Sequence, residues 1–222
     1  MYAAVTVRVD VAFAASQLSR YLQNPAPEHH AAADQVILYL YATRFLAIEY
    51  NGFFTDVLVI ASDASFADDP ETRHSSQGYV MSLFGGPVVW KAGKQDTVTT
   101  STTEAELLGV ERTTKESFAL SRLMTDIGLD LGIPLKVWCD NQQTIRLIVD
   151  ENQRISTRLR HVDIQNMWLK QEFRKGKFEI GYLPTADMPA DGLTKALPRQ
   201  KFEHFRSLLN LADVQAKIEG RH

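Results

Sequence analysis

The spacing of hydrophobic and polar residues changes twice along the chain. Up to about residue 50, apolar residues recur at helical intervals, as in QVILYLY behind Pro27, which predicts a pair of helices that docks elsewhere. Between about residues 56 and 92, apolar runs are bounded by Gly, Pro, Ser or Asp. They predict short strands joined by hairpins, in VLVIASDAS, SQGYVMSLFGG and PVVWKAG.

From Ser101 onwards the pattern alternates between helix and strand. The predicted elements are helix 103–126, strand 135–139, helix 141–151, helix 159–175, strand 177–183 and a helical end from about 187 to 211. Three consecutive strands followed by alternating helices and strands predict an α/β fold with a mixed sheet flanked by helices.

The same pattern divides the chain into three parts. We expect a helical segment at 1–50, a sheet domain at 51–212 and a tail at 213–222. The tail contains IEGR followed by His222, which resembles a protease cleavage site added for expression, so we leave it out of the fold prediction.

Composition excludes several classes of protein. With 222 residues, of which 45% are hydrophobic, the chain can bury a sizeable core, so disorder is not expected for most of it. Cys139 is the only cysteine, which excludes an intramolecular disulfide and favours a reducing, intracellular setting. No apolar run approaches the ~20 residues of a membrane span, so no membrane partner is expected. The net charge of -3 means that nucleic-acid binding would need a local basic face.

Acidic residues stand at the ends of predicted elements. Asp63 and Asp140 each end an apolar run, Glu106 lies near the start of the long helix, and Asp191 follows in a later loop. Carboxylates that converge from separate elements suit hard divalent cations such as Mg²⁺, and a pair of such ions supports displacement at phosphorus. Taken singly, Asp63 and Asp140 are better explained as turn formers or helix N-caps, and Asp191 as a helix start.

Glu104 and Glu106 compete for one role, because both lie in the same predicted turn. Each completes a capping-box pattern, behind Ser101 and Thr103 respectively. Gly109, three positions after Glu106, leaves a small surface on the same helix face, so Glu106 is the preferred metal ligand and Glu104 the preferred cap.

Four segments then follow one another in a characteristic order: VIASDASFADDPETRHSSQGYVMSLFGGPVVWKAGKQDTVTTSTTEAELLGV, VWCDNQQTIRLI, RHVDI and YLPTADMPADGLTK. In that order they resemble the ribonuclease H domain of copia-type long-terminal-repeat retrotransposons, over about residues 56 to 200. Residues 7 to 50 are similar to the end of the reverse transcriptase part of the same polyprotein.

The resemblance implies an RNase H-like fold, with a mixed five-stranded sheet flanked by helices and an N-terminal helical appendage. It further implies that two Mg²⁺ or Mn²⁺ ions are bound by an acidic quartet: Asp63, Glu106, Asp140 and Asp191. The implied reaction is hydrolysis of the RNA strand of an RNA–DNA hybrid during reverse transcription, leaving a 5′-phosphate and a 3′-hydroxyl. The implied partners are the hybrid and the reverse transcriptase domain, in cytoplasmic virus-like particles or in the nucleus.

Further residues are candidates for contacts with nucleic acid. Ser65, Ser76, Asn141 and Gln142 would reach sugar or phosphate, although helix capping and hairpin turns account for them equally well. The basic cluster of Arg158, Arg160 and His161 would contact the backbone of the DNA strand. The alternative is that the arginines form a solvated surface and that the histidine is structural.

Two other functions remain open from the sequence. The domain could be a catalytically silent tethering or nucleic-acid-binding module of a reverse transcriptase, which the presence of all four acids disfavours. It could also be a strand-transfer nuclease such as an integrase core, but in those proteins the Glu comes last, whereas here Glu106 is second in order.

Overall fold

The computed structural model of the chain describes residues 1–50, 58–132 and 134–220. Its helices are α1 (Tyr2–Thr6), α2 (Ala12–Ser19), α3 (Pro27–Ala42), α4 (Thr102–Asp126), α5 (Gln142–Val149), α6 (Arg160–Arg174), α7 (Arg199–Leu208) and α8 (Gln215–Glu219). Its strands are β1 (Leu46–Ile48), β2 (Leu58–Ser65), β3 (Ser76–Leu83), β4 (Gly86–Lys94), β5 (Leu135–Cys139), β6 (Phe178–Tyr182) and β7 (Leu211–Asp213). Single turns of 3₁₀ helix occupy Val9–Val11, Thr185–Asp187 and Asp191–Leu193.

Five strands form the central sheet in the order β4-β3-β2-β5-β6. The first three are antiparallel neighbours, with a tight turn between β3 and β4 and a longer loop between β2 and β3, whereas β5 and β6 run parallel to β2. Parallel neighbours need crossovers, which α4, α5 and α6 provide. The predicted mixed five-stranded sheet flanked by helices is confirmed.

Hydrophobic side chains cover both faces of this sheet. Because side chains alternate along a strand, Ile60 faces one layer and its neighbour Ala61 faces the other. The first layer is formed by α4, α5 and α6, with Leu107 and Leu169 fully buried. The second layer contains Leu193, Phe205 and Leu209 from the C-terminal region.

The N-terminal segment completes that second layer. Val9 and Ala12 are buried in it, and the Trp90 indole nitrogen on β4 donates a 2.7 Å hydrogen bond to the Ala4 carbonyl. Arg20 forms a 2.5 Å ion pair with Asp69, in the loop that follows β2. The prediction that this helical pair docks elsewhere is therefore wrong. Periodicity identifies which face of a helix is apolar but does not identify the surface that covers it.

The C-terminal region is less helical than the sequence predicts. Instead of one helical end from 187 to 211, there is a 3₁₀ turn at Asp191–Leu193, then α7 and then β7. Pro189 and Pro198 explain the interruption, because proline lacks the backbone N–H that an interior helical position donates.

The end of the chain also pairs with the segment before the sheet. Strand β7 is antiparallel to β1, with Ala47 opposite Ala212, so the expected boundary at residue 212 falls inside a strand. The other expected boundary, at residue 51, adjoins residues 51–57, which lie outside the described part of the chain. Of the helices in the described residues, none has the length and hydropathy needed to cross a membrane.

Candidate metal centre

Two neighbouring parallel strands bring Asp63 and Asp140 together. Ile60 pairs with Val137 and Ala61 with Trp138, so continuing the register by two residues sets Asp63 level with Asp140. Asp63 lies within β2 and is 1% exposed, whereas Asp140 follows the last residue of β5 and is partly exposed. The carboxyl ends of parallel strands meet at one edge of a sheet, and the two acids mark that edge.

Helix α4 carries Glu106 to the same place. The helix crosses β2 closely at Gly109, where a Cβ atom would lie 3.4 Å from the Ser62 hydroxyl and 3.7 Å from the Asp63 carbonyl oxygen. Glu106 is 4% exposed, and one of its oxygens, Oε2, has no hydrogen-bond partner in the described structure. A buried carboxylate oxygen without a donor is costly unless a cation reaches it.

Asp191 reaches the site from the C-terminal region. It opens the 3₁₀ turn that ends at Leu193, and this turn packs against β3, where a Cβ on Gly78 would lie 2.6 Å from the Leu193 Cβ. The turn is anchored to β2 because the Thr194 hydroxyl donates a short hydrogen bond to Asp63 Oδ2. Asp191 is 7% exposed and its carboxylate is paired with Lys195.

Burial shifts the pKa values of Asp63 and Glu106 upward. Burial raises the pKa of Asp63 to about 6, a shift that Asp140 and Asp191 increase and that Lys195 and Thr194 reduce. Burial, together with the charges of Asp63 and Asp140, raises the pKa of Glu106 to about 9. Each carboxylate thus disfavours ionisation of its neighbours, which is the electrostatic condition that a bound divalent cation relieves.

The donor set fits a divalent metal ion. Ligand atoms of Glu106, Cys139 and Asp140 all lie within 4.8 Å of one another. The carboxylates of this group are hard oxygen ligands of the kind that Mg²⁺ and Mn²⁺ take, while burial raises the pKa of the Cys139 thiol and keeps it protonated. Glu106 and Asp140 would therefore hold an ion, with Asp63 and Asp191 beside them.

Glu104 has a different environment from Glu106. Its Oε2 accepts hydrogen bonds from the backbone N–H and the hydroxyl of Thr100, and its own N–H donates to the N-cap hydroxyl of Ser101. Burial alone would raise the pKa of Glu104, but hydrogen bonds from Thr157, Thr100 and Ser101 lower it. The structure thus places Glu104 in the cap of α4 and Glu106 at the acidic cluster.

Three residues around the acids were not singled out from the sequence. The Thr185 hydroxyl donates a 2.7 Å hydrogen bond to Asp140 Oδ2, the Thr194 hydroxyl donates to Asp63, and Lys195 pairs with Asp191. Thr194 and Lys195 complete the DGLTK segment, so their proximity to Asp191 was available from the sequence. Their contact with Asp63 depends on the tertiary fold.

The two serines proposed as nucleic-acid contacts face each other across β2 and β3. Ser65 is partly exposed and remains a candidate. Ser76 is 2% exposed, and its hydroxyl and N–H both donate to the Asp68 carboxylate. The prediction for the Ser76 side chain is therefore corrected: it fixes the loop after β2 and is not available to a ligand.

The remaining candidates lie at the starts of α5 and α6. Asn141 is the N-cap of α5, since its Oδ1 accepts a hydrogen bond from the Thr144 N–H, while Gln142 is exposed beside it. The three basic candidates, Arg158, Arg160 and His161, are exposed in the segment that leads into α6 and in its first turn. Within the described residues, no ion pair joins them to the four acids.

A mixed five-stranded sheet with buried acids gathered at the ends of β2 and β5 defines a ribonuclease H-like domain. No protein-family model matches the chain. It is 34% identical over 95% of its length to the retrovirus-related Pol polyprotein from transposon TNT 1-94 of Nicotiana tabacum. It is 32% identical over 93% of its length to the retrovirus-related Pol polyprotein from transposon RE1 of Arabidopsis thaliana.

Over most of its length, the chain is similar to part of the Pol polyproteins of copia-type retrotransposons. It covers 16% and 14% of those two polyproteins, so it corresponds to a small part of each. Among solved structures, an LC11-RNase H1 in complex with an RNA/DNA hybrid aligns with a TM-score of 0.46 and 16% identity, over 61% of this chain and 92% of that one.

Proposed function

We propose that this chain is the ribonuclease H of a retrotransposon polyprotein and hydrolyses the RNA strand of RNA–DNA hybrids in a metal-dependent reaction. The observation that carries the proposal is the gathering of Asp63, Glu106 and Asp140, two of which are almost fully buried with raised pKa values. Buried carboxylates whose pKa values are strongly raised by desolvation and by one another are typical of functional sites. The pKa of Glu104, by contrast, is lowered by the hydrogen bonds at its helix cap.

The proposed cofactor is a pair of Mg²⁺ or Mn²⁺ ions, held by Asp63, Glu106, Asp140 and Asp191. When bound, such ions supply the positive charge that stabilises the attacking and leaving oxygens at the scissile phosphate. The chain's own residues prepare the ligands for this role. Thr185 and Thr194 fix the orientations of Asp140 and Asp63 through their hydroxyl groups, which lowers the cost of ordering the site.

Recognition of the substrate would rely on its shape and its sugars. The hybrid exposes RNA 2′-hydroxyls in a wide minor groove, which polar side chains can read without a base code. Gln142 and Ser65 lie beside Asp140 and Asp63 in sequence and present accessible polar groups. The exposed basic residues at the start of α6, Arg158 and Arg160, would contact backbone phosphates, which makes binding salt-dependent.

The proposed partner is the reverse transcriptase domain of the same polyprotein. This proposal is supported by the relatives, which are retrovirus-related Pol polyproteins. The proposed place of action is the cytoplasmic virus-like particle or the nucleus, where reverse transcription or its completion would supply hybrids. In both places the products would carry a 5′-phosphate and a 3′-hydroxyl.

The test is a cleavage assay with labelled RNA–DNA hybrid, duplex RNA and duplex DNA, each with Mg²⁺, Mn²⁺ or EDTA. We expect cleavage only of the RNA in the hybrid, its abolition by EDTA, and ligatable 5′-phosphate ends. The variant Asp140→Asn should lose this activity while its circular dichroism spectrum stays unchanged. Hybrid cleavage that persists in EDTA or in Asp140→Asn would overturn the proposal.

A further inference from the structure

A lysine side chain stands among the acidic residues of the site. The Lys195 ammonium group contacts Asp191 Oδ1 and lies 3.9 Å from Asp63 Oδ2, so it bridges two acids that come from different parts of the chain. Its side chain is 41% exposed. Among the ion pairs of the described residues, no other cationic side chain meets any of the four acids.

The position of this ammonium group overlaps the position that a metal ion would need. A divalent ion bound by Asp63 and Asp191 would lie ~2.0–2.6 Å from their oxygens, which leaves no room for the Lys195 nitrogen between the same two groups. Two cations also repel each other strongly at such a separation, especially where burial limits screening by water. The lysine and the metal ion therefore exclude each other at this pair of acids.

The chain offers Lys195 a second position. On its other side, the residue borders an open cavity of about 430 Å³ between the 192–197 segment and helices α2 and α3. Gln17 and Gln35 also line this cavity and carry amide oxygens that can accept a hydrogen bond from an ammonium group. Because the Lys195 side chain is half-exposed and has a flexible four-carbon stem, its ammonium group can move into this cavity at little cost in free energy.

We propose that Lys195 is the internal counter-ion of Asp63 and Asp191, and that Mg²⁺ or Mn²⁺ must displace it in order to bind. Lys195 thereby sets the concentration of divalent ion at which the site fills. The inference rests on the proposed function for the identity of the metal ligands, and it assigns Lys195 as a positioning residue that acts on the site without being a metal ligand.

The first experiment measures Mn²⁺ binding to the full chain without nucleic acid, by the electron paramagnetic resonance signal of free Mn²⁺. Removing a competing charge at this distance should tighten Mn²⁺ binding by about tenfold in Lys195→Met, whereas Lys195→Arg should stay close to wild type because its charge remains. The matched control is Lys175→Met, which removes a lysine that pairs with Glu172, away from the acids. Unchanged or weaker binding in Lys195→Met would overturn the inference.

A second experiment needs no substitution. Acetylation of lysine amines in the wild-type chain, followed by mass spectrometry, reports how accessible each amine is. Saturating Mn²⁺ should raise the acetylation rate of Lys195 severalfold and leave that of Lys175 unchanged, because only Lys195 is released from an acidic pair by the ion. Equal Lys195 rates with and without Mn²⁺ would contradict displacement.

The two proposals fail in different ways. If Lys195→Met binds Mn²⁺ as wild type does while Asp140→Asn loses cleavage, the counter-ion role is wrong and the ribonuclease proposal stands. If the chain binds Mn²⁺ with the predicted Lys195 dependence but cleaves no hybrid, the metal site stands and the reaction is wrong.

Discussion

Gly78 lies directly opposite Asp63 across strands β2 and β3. The missing side chain at this position makes room for the 3₁₀ turn that carries Asp191, because a Cβ there would come within 2.6 Å of the Leu193 Cβ and 3.1 Å of the Thr194 Cγ2. The glycine is thus a steric condition for the acidic site, since the turn that it admits supplies both the Asp191 ligand and the Thr194 hydroxyl.

Gly78→Ala should therefore damage the site more than the fold. Displacing the turn by about 1 Å would misplace Asp191, for which we expect a loss of about 100-fold in hybrid cleavage, with a loss of stability of about 1–3 kcal/mol from overpacking. Cleavage rates and urea unfolding curves measure the two effects. Gly93→Ala on β4 is the control, since its Cβ would meet nothing nearer than the Lys91 Cε at 3.8 Å. Equal activity in both variants would show that the turn tolerates the added methyl group.

The two glutamates at the start of α4 should respond in opposite ways to substitution by Gln. Glu106→Gln replaces a buried carboxyl group, one oxygen of which lacks a hydrogen-bond partner, with a neutral amide that cannot ionise. We therefore expect loss of cleavage and of divalent binding, with the metal-free chain at least as stable as wild type at pH 8. Glu104→Gln weakens the bonds from Thr100, so we expect a loss of about 0.5–2 kcal/mol with cleavage retained. Thermal unfolding and cleavage assays on both variants check this crossed pattern. Loss of cleavage in a folded Glu104→Gln protein would mean that Glu104 is the metal ligand and Glu106 the helix cap.

The acids should also make stability depend on pH in a sense opposite to that of ordinary surface carboxylates. The raised pKa values of Asp63 and Glu106, about 6 and about 9, mean that the folded chain holds protons that the unfolded chain has lost. Without metal, the free energy of unfolding should fall as pH rises from about 4 towards about 9.

Addition of Mg²⁺ should remove much of this decline and release protons, because the ion takes the place of the protons on the carboxylates. Thermal unfolding between pH 5 and pH 9 with and without Mg²⁺ measures the first effect. Calorimetric titration in buffers of different ionisation enthalpy measures the second. A metal-free stability that rises steadily over this range would contradict the assigned pKa shifts.

The N-terminal segment should behave as part of the sheet domain. Val9 is fully buried in the second hydrophobic layer, whereas Val5, four residues earlier, is 64% exposed. Val9→Ala should lower the free energy of unfolding by about 1–2 kcal/mol and Val5→Ala by much less, since only the first removes buried methyl groups. Denaturant unfolding of the two variants compares them directly. Equal, negligible effects would mean that residues 1–20 dock more loosely than the structure describes.

The sequence predicted those parts of the structure that depend on local periodicity. The run that became β5 ends where predicted, whereas β2 continues two residues beyond Asp63 to Ser65. The parallel orientation of β2 and β5 follows from the helical crossover through α4, and the register that aligns Asp63 with Asp140 is seen in the structure. The capping pattern behind Ser101 distinguished Glu104 from Glu106 only in part, because Thr103 offers the same pattern to Glu106. The two glutamates are both buried, and what separates them is the proximity of Glu106 to Asp63 and Asp140, which is a tertiary property.

Other features could not be read from the sequence because they join distant segments. Val9 and Ala12 share a hydrophobic layer with Phe205. The spacing of apolar residues shows that each segment has an apolar face, but it does not show which faces pack against each other. The pairing of Ser76 with Asp68 likewise removed a candidate contact that turn chemistry alone left open. Lys195 could be located beside Asp191 by counting four residues along the chain, but its approach to Asp63 could not.

The hydrogen bond from Thr194 to Asp63 joins residues 131 positions apart. During synthesis, the first three acids are all available well before this contact can form, since β2, α4 and β5 precede the Asp191 turn in the chain. A ribosome-bound nascent chain therefore lacks the fourth ligand until the segment around Asp191 has emerged, and a full divalent site becomes a late event in the folding of this domain. If the chain acts as proposed, the nuclease would stay silent until the Asp191 turn has docked against β2 and β3.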